Sequence, residues 1–194
     1  MSMLSAPRLH KLIEEKIITC TDVEVIHDNV NSGSIDIRIG NKILVEKQRL
    51  NGLVWNHPVD IDAKESPQFT EVEIPEEGYI LEPGQAILAC SLETFNLPNT
   101  ISAMFKLRSS MGRCFLNHMM AGWADAGWHG AQLTMEFVNQ TQYHRLLIKP
   151  GMRVGQMVFF EHEDAGEDSY SVKGNYNNQQ GPTVAFAGQV VEIK

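Results

Sequence analysis

The chain has 194 residues, of which 43% are hydrophobic and 21% are charged, and its formal net charge is −8. This length and composition are typical of a soluble globular protein, and we interpret residues 1–194 as a single domain. The acidic balance argues against a protein that binds nucleic acid or anionic membranes, since both functions need an excess of basic surface.

The cysteines indicate the cellular compartment. Cys20, Cys90 and Cys114 are widely spaced, odd in number and without a CxxC pair, which favours free thiols in a reducing environment. The sequence has no apolar run of membrane-spanning length, and its N-terminus lacks the apolar segment of a signal peptide. We therefore expect a soluble cytoplasmic protein.

The first predicted element is a helix over residues 5–18. A serine suited to the N-cap and a proline suited to the first turn precede a stripe formed by Leu9, Leu12, Ile13 and Ile17. We expect this stripe to face the core rather than a partner protein.

After the helix the hydrophobic period changes to two, as in strands. In GSIDIRIG three isoleucines alternate with Asp36 and Arg38, and FTEVEI alternates apolar residues with glutamates. EPGQ (82–85) and KPGM (149–152) each place a Pro–Gly pair between apolar strands, which predicts type II turns with a positive φ at the glycine. Many short strands between such turns predict a mostly β fold, either a sandwich or a barrel.

The last segment, residues 162–194, is polar and rich in Gly, Asn and Gln. Composition alone favours a flexible tail. The alternative is a C-terminal arm that becomes ordered over a ligand or a neighbouring subunit.

FKLRSSMGR (105–113) concentrates positive charge and hydroxyl groups in an otherwise acidic chain. Guanidinium and hydroxyl groups bind phosphate oxygens, so this segment is a candidate site for a phosphorylated ligand. An exposed basic turn would give the same pattern.

AGWADAGWHG (121–130) is a glycine-rich loop with a single acid, Asp125. Its glycines suit either close backbone approach to a flat ligand or a plain tight turn. A carboxylate at Asp125 is suited to accept a hydrogen bond from a sugar hydroxyl.

The strand LTMEFV (133–138) alternates an apolar face with a face that carries Thr134 and Glu136. This pattern alone favours a Glu136 that faces solvent.

Motifs for metal-dependent or nucleophilic chemistry are missing from the sequence. Zinc nucleobase deaminases carry an H-x-E or C-x-E element and a P-C-x-x-C element, and neither occurs here. The seven histidines form no HExxH or H-x-H pair, so the sequence predicts no protein-bound metal. A G-x-S-x-G elbow and a P-loop are missing as well.

The segments named so far belong to a longer ordered set. In chain order the set contains RSSMGR (108–113), AGWADAGWHG (121–130), LTMEF (133–137), PGMRVGQMVF (150–159) and NYNNQQGP (175–182). Together with GSIDIRIG and LEPGQAIL upstream, they resemble the dCTP deaminase family of the trimeric dUTPase-like superfamily. The resemblance covers most of the chain from about residue 30.

This resemblance implies a distorted β-barrel or jelly-roll of the dUTPase-like type, assembled as a homotrimer with active sites between subunits. It also implies hydrolytic deamination of dCTP to dUTP and ammonia without zinc, with Mg²⁺ bound through the nucleotide triphosphate. Under the resemblance, residues 162–194 form an arm that closes over the active site. Regulation by dTTP is left open.

By the same resemblance, Glu136 matches the catalytic glutamate. Without a metal, a carboxylate must take a proton from the water that attacks C4 and return protons to N3 and the leaving amino group, a role typically worth about 10²–10⁴-fold in rate. Ser109 and Arg113 match residues that hold the water and stabilise the tetrahedral intermediate. The backbone carbonyl of Ala121 matches a further water-orienting group.

The resemblance also implies the substrate contacts. Asp125 matches the group on the deoxyribose 3′-OH, and the strand backbone at Thr134 and Met135 would read the base edge. The other predicted substrate-binding residues, most of them at the phosphates or the sugar, are Arg108, Ser109, Ser110, Met111, Gly112, Arg113, Gln156, Tyr170, Lys173 and Gln179.

Between Gly130 and Glu136 the chain has one residue more than is usual in the family. A slip of one residue would turn Glu136 to the other face of its strand unless a β-bulge absorbs it. We therefore predict a bulge near Ala131–Leu133.

The loop AGWAD resembles that of bifunctional dCTP deaminase–dUTPases, which release dUMP and diphosphate. Gly122 and Trp123 carry this resemblance, so a bifunctional enzyme is the alternative to an enzyme that stops at dUTP. A plain dUTPase is less favoured because its glycine-rich C-terminal phosphate motif is missing. A third alternative, a non-catalytic nucleotide sensor, would not need the Glu136 that the chain retains.

Overall fold

The structure, a computed structural model, describes residues 2–47 and 58–185; residues 186–194 of the predicted arm lie outside these ranges. The strands are β1 (Ser2–Met3), β2 (Ile18–Thr19), β3 (Ile35–Glu46), β4 (Phe69–Glu73), β5 (Tyr79–Leu81), β6 (Ala86–Asn96), β7 (Ile101–Leu107), β8 (Leu116–His118), β9 (Trp123–Ala124), β10 (His129–Asn139), β11 (Leu146–Ile148) and β12 (Arg153–Glu161). The helices are α1 (Ala6–Glu14), α2 (Val23–Asp28), α3 (Ser109–Arg113) and α4 (Tyr170–Lys173), and a 3₁₀ turn lies at Gly166–Asp168.

Most of these strands form one curled antiparallel sheet. Its order is β8-β10-β6-β3-β12-β7-β9, with β1 added to β12, β2 to β6 and β4 to β3. The apolar faces of the strands enclose one core, in which the largest fully buried side chains include Phe95, Phe137 and Phe159. The predicted mostly β fold is confirmed.

The N-terminal helix is shorter than predicted. It begins after Ser5 and ends at Glu14, because Lys16 adopts a positive φ (60°) and Ile18 already pairs with β6. Its apolar stripe is buried in the core at Leu9, Leu12 and Ile13, as expected for residues on one face of a helix.

The two Pro–Gly turns have the predicted glycine conformation, with φ of 76° at Gly84 and 75° at Gly151. The apolar strands that precede the turns, β5 and β11, pair with each other. The N–H of Gly84 donates to the carbonyl oxygen of Asn139 (2.8 Å), the last residue of β10. The first of these turns therefore helps to fix the end of the strand that carries Glu136.

A buried ion pair fixes β3 against β6 beside β10. Arg38 Nε donates to Glu93 Oε1 (2.7 Å), and the backbone N–H of Arg38 donates to Oε2 (3.0 Å). Next to this pair, Ser91 Oγ accepts the N–H of Leu133 on β10 (2.8 Å) and donates to the carbonyl oxygen of Glu93 (2.7 Å). Burial raises the pKa of the Glu93 carboxyl, and the hydrogen bonds from Arg38 oppose that rise. The ion pair and Ser91 thus hold the part of β10 that precedes Glu136.

Replacing Arg38 with Met is expected to destabilise the fold by about 3–5 kcal/mol, because it leaves the Glu93 carboxyl buried without its partner. A carboxyl with a raised pKa holds its proton more tightly in the folded protein than in the unfolded chain, so the variant gains stability as the pH falls. Urea unfolding followed by circular dichroism, at about pH 5 and about pH 8, measures both effects.

Lys42→Met is the control for this experiment, because Lys42 pairs with Glu71 at the surface. An exposed pair of this kind contributes little to stability. Equal losses in the two variants, or a loss at Arg38 that does not depend on pH, would contradict the prediction.

Candidate active site

A cavity of about 550 Å³ opens between β10, the loop that follows β8 and the chain that follows β12. This volume lies in the range of small-molecule sites. Phe69, Leu88, Trp128 and Leu133 contribute apolar parts of its wall. The predicted site residues in the wall are Ala121, Trp123, Asp125, Thr134, Glu136, Tyr170 and Gln179.

The strand β10 directs Glu136 toward this cavity. Along β10, buried residues of the core alternate with half-buried residues of the opposite face, which carries Thr134 and Glu136. That face is not open to solvent, because the C-terminal segment covers it: Thr134 Oγ1 accepts the N–H of Thr183 (3.1 Å). The Glu136 side chain is 24% exposed and borders the cavity, in contrast to the solvent-facing position that periodicity alone favours.

The pairing of β10 with β6 is irregular at two places before Glu136, but the extra residue of β10 lies just before the predicted Ala131–Leu133. The pairing of β10 with β6 shifts within 129–131, where Gly130 (φ 64°) is the extra residue on β10. It shifts again within 132–134, where the extra residues lie on β6. The alternation of buried and half-buried residues is unbroken after these shifts, so Glu136 keeps the face toward the cavity.

The carboxylate of Glu136 contacts the imidazole of His118 on β8. Glu136 Oε2 lies 3.3 Å from His118 Nε2, both atoms are buried, and neither makes a hydrogen bond of normal geometry to the described residues. No histidine motif in the sequence marks His118, because its position beside Glu136 arises only when β8 pairs with β10 through His118 and Phe137.

The loop before β10 forms one wall of the cavity. A Cβ on Gly122 would lie 2.8 Å from the backbone oxygen of Phe105, whose N–H donates to the Gly122 carbonyl oxygen (2.7 Å). The close approach that requires glycine here is therefore to β7 rather than to a ligand. Trp123 Nε1 donates to Asp125 Oδ1 (2.7 Å), so the indole holds the carboxylate at the cavity.

The described part of the C-terminal segment, residues 162–185, packs against this loop and against β10. The N–H of Tyr170 donates to the carbonyl oxygen of Ala126 (2.9 Å). Gln179 Nε2 donates to the carbonyl oxygen of Gln132 (2.6 Å). Both Tyr170 and Gln179 thereby reach the cavity wall.

Two predicted phosphate-contacting residues of this segment differ in placement. Tyr170 lines the cavity, and burial raises the pKa of its hydroxyl. Lys173 is exposed, forms an ion pair with Asp168 and lies outside the cavity wall.

In the predicted basic segment (105–113), Ser109–Arg113 forms α3, and the whole segment lies outside the cavity wall. Beside it, a buried carboxylate, Asp36, gathers polar groups. Arg108 Nε and Arg153 Nη1 each lie 3.5 Å from Asp36 Oδ2, and Gln156 Nε2 donates to Oδ1 (3.1 Å). Two of the predicted phosphate-binding residues, Arg108 and Gln156, are thus close together, but within one chain they do not join Glu136.

Asp36 and Arg153 are additional members of this charged cluster that the sequence did not reveal. In the sequence Asp36 has the appearance of the polar half of an alternating strand. It is buried because residues 35–40 of β3 are covered on both faces of the sheet.

In the part of the chain that the structure describes, no group of three or more His, Cys, Asp or Glu side chains is arranged to hold a metal ion. No helix in the same ranges is long and apolar enough to cross a membrane.

A sequence profile of the dCTP deaminase-like family matches residues 3–162, which is most of the chain. The chain belongs to the dCTP deaminase-like family. Among its relatives is the protein named "dCTP deaminase, dUMP-forming" of Persephonella marina, which is 34% identical over 94% of this chain and 96% of the relative. A protein of the same name from Sulfurihydrogenibium sp. is 33% identical over the same shares of the two chains.

Other relatives of this dCTP deaminase-like protein carry a shorter name or have a solved structure. The "dCTP deaminase" of Halorubrum lacusprofundi is 32% identical over 100% of this chain and 94% of the relative. The crystal structure of 2′-deoxycytidine 5′-triphosphate deaminase from Agrobacterium tumefaciens matches with a TM-score of 0.62 and 24% identity. That match covers 81% of this chain and 47% of the longer Agrobacterium chain, and it shows a common fold.

Proposed function

We propose that this dCTP deaminase-like protein hydrolyses dCTP at C4 of the cytosine and converts the product further to dUMP and diphosphate. The observation that carries the proposal is the carboxylate of Glu136, which borders the cavity and has one buried oxygen without a hydrogen bond to the described residues. The name of several relatives specifies dUMP formation, which favours the bifunctional alternative over dUTP as the final product.

Glu136 is the acid–base group in the proposed deamination. The carboxylate takes a proton from water as the water oxygen bonds to C4, and it transfers this proton to N3 of the base. It then takes the proton of the new C4 hydroxyl and delivers it to the amino nitrogen, so that the C4–N bond breaks and ammonia leaves. The Ala121 carbonyl orients the water, and Ser109 and Arg113 stabilise the tetrahedral intermediate.

The wall of the cavity supplies groups for the base and the sugar. Asp125, which Trp123 holds in place, accepts a hydrogen bond from the deoxyribose 3′-OH. β8 pairs with β10 at Phe137–Asn139, so Thr134 and Met135 lie outside this ladder. In the proposal, the backbone groups of Thr134 and Met135 bind the edge of the cytosine.

The triphosphate lies against basic and polar groups in the proposal. Arginine guanidinium groups and serine hydroxyls are suited to phosphate oxygens. The groups assigned to the phosphates, or to the sugar beside them, are those of Arg108, Ser109, Ser110, Met111, Gly112, Arg113, Gln156, Tyr170, Lys173 and Gln179. Mg²⁺ arrives on the phosphate oxygens of the nucleotide.

A second copy of the chain completes the site in this proposal. Within one chain Ser109–Arg113 lie outside the cavity that contains Glu136. Along the chain between α3 and the cavity loop, Phe115, Met119 and Met120 are more than half exposed, so they are candidates for a contact with another subunit. A homotrimer that buries this surface would bring α3 of one subunit to Glu136 of the next.

Incubation of the protein with dCTP and Mg²⁺ is expected to yield ammonia, dUMP and diphosphate in equal amounts, because both steps occur at one bound nucleotide. Separation of dCTP, dUTP and dUMP by ion-exchange chromatography at early times measures the products. The same assay with dTTP added tests regulation by that nucleotide.

Accumulation of dUTP without dUMP would show a deaminase that stops after the first step. Unchanged dCTP would contradict the proposed deamination, and a parallel incubation with dUTP would then separate a plain dUTPase from a nucleotide sensor. Gly122 and Trp123 are the residues assigned to the second step.

A further inference from the structure

His118 is a buried imidazole directly beside the carboxylate of Glu136. Its side chain is 5% exposed, and its ring packs against the rings of Phe105 and Phe137, with centroid distances of 4.8 Å and 5.8 Å. Ring packing accounts for the apolar faces of the imidazole but not for its two nitrogen atoms. Burial of a polar nitrogen without a partner is unfavourable, so both nitrogens need an explanation.

The first nitrogen, Nδ1, accepts the backbone N–H of Met120 (3.2 Å). An imidazole nitrogen that accepts a hydrogen bond carries no proton, so the proton of the neutral ring is on Nε2. Nε2 lies 3.3 Å from Glu136 Oε2 without the alignment of a hydrogen bond, and Oε2 is itself buried without a hydrogen bond to the described residues. Two unpaired buried atoms of complementary character, one donor and one acceptor, therefore lie within reach of each other.

We propose that His118 is a positioning residue, which orients the Glu136 carboxylate by donating a hydrogen bond from Nε2 to Oε2. The inference rests on the proposed acid–base function of Glu136. Hydrogen bonds of catalytic groups are often long or poorly aligned in the absence of substrate and tighten when it binds, which fits two atoms that lie 3.3 Å apart but are not aligned. With Oε2 held by His118, the other carboxylate oxygen is left for the attacking water.

The same imidazole also ties Glu136 to the loop that carries Ala121. Met120, which donates to His118 Nδ1, has a positive φ (64°) and directly precedes Ala121. In addition, the N–H of Met119 donates to the carbonyl oxygen of Glu136 (3.0 Å). His118 thus lies between the two groups assigned to the water, the Glu136 carboxylate and the Ala121 carbonyl, and fixes their separation.

Two substitutions separate this role from ring packing alone. His118→Gln retains an N–H donor at about the reach of Nε2, whereas the shorter His118→Asn retains a partner for the Met120 N–H but does not reach Glu136. We expect kcat for dCTP to fall about 10–100-fold in His118→Asn, as for a misplaced catalytic group, and to be largely restored in His118→Gln. KM should change less than about threefold in both variants, because His118 does not touch the substrate.

His118→Phe is the third variant, since it preserves the ring packing and removes both hydrogen bonds. It is expected to resemble His118→Asn in kcat. Thermal unfolding and dCTP binding of each variant monitor the fold, and His144→Gln serves as a matched control at an exposed histidine.

Equal kcat values for the Gln, Asn and Phe variants would overturn the inference, whether all are active or all are impaired. Glu136→Gln, assayed alongside, separates this failure from that of the proposed function. If Glu136→Gln keeps the wild-type kcat, the proposed acid–base role is wrong. If Glu136→Gln is inactive while His118→Asn and His118→Phe keep the wild-type kcat, only the positioning role is wrong.

Discussion

Replacing Glu136 with Gln is expected to lower kcat for ammonia release from dCTP by about 10²–10⁴-fold, the usual contribution of a positioned acid–base group. The amide has nearly the shape of the carboxylate but cannot take a proton from water. Because the change leaves the cavity wall almost unaltered, KM for dCTP should stay within about threefold of the wild-type value. A coupled ammonia assay gives kcat and KM, and calorimetric titration with dCTP gives the affinity.

Glu82→Gln is the matched control for this prediction. The Glu82 side chain is 57% exposed, lies 4.0 Å from Arg145 and is not in the cavity wall. It should keep the wild-type kcat. Full deaminase activity in Glu136→Gln would exclude Glu136 as the acid–base group, and loss of dCTP binding together with activity would indicate a distorted cavity instead.

The face on which Glu136 lies could be predicted from the sequence, whereas what covers that face could not. Alternation along β10 places Glu136 opposite the core whatever lies beyond it. Thr183, whose N–H donates to Thr134 Oγ1 and so covers this face, is distant from β10 in sequence. This contact depends on the path of the whole C-terminal segment. The alternation of polar and apolar residues indicates on which side of a strand a residue lies, but not what covers that side. For this reason the alternation favoured a solvent-facing Glu136.

The same limit explains the buried polar groups. Asp36 and Arg38 occupy polar positions of an alternating strand, but both are buried because this part of β3 is covered on both faces. Their partners come from distant strands: Glu93 from β6 and Gln156 from β12. Local turn chemistry was predictable at the Pro–Gly pairs, since φ there depends on the glycine itself rather than on tertiary contacts.

The basic segment presents the reverse case, in which the sequence suggests a chemistry that one chain does not assemble. Ser109–Arg113 have the residue types of an anion site, but they lie outside the cavity that contains Glu136. A single chain therefore holds two parts of the proposed site on separate surfaces. Symmetric assembly is the simplest way to bring such surfaces together, because each interface repeats around a closed ring.

Mixed trimers of two inactive variants are expected to regain activity if the site is shared between subunits. Glu136→Gln lacks the acid–base group, and Arg113→Ala lacks the group assigned to the intermediate. An intact site needs Glu136 from one subunit and Arg113 from the next, so the first subunit must be the Arg113→Ala variant and the second the Glu136→Gln variant. Every hybrid trimer has this combination at one of its three interfaces, so purified hybrids should show roughly a third of wild-type activity. Co-expression with two affinity tags, purification of the hybrids and the ammonia assay measure it.

Glu136→Gln combined with Asp125→Asn is the control pair, because both residues line the same cavity of one chain. No mixture of these two variants builds an intact site, so activity should stay at the level of the separate variants. Recovery in the first pair alone would support a shared site, since only groups on different subunits can complement each other. If neither pair recovers although hybrids form, α3 of a neighbour does not complete the cavity, and Ser109 and Arg113 lose their proposed catalytic roles.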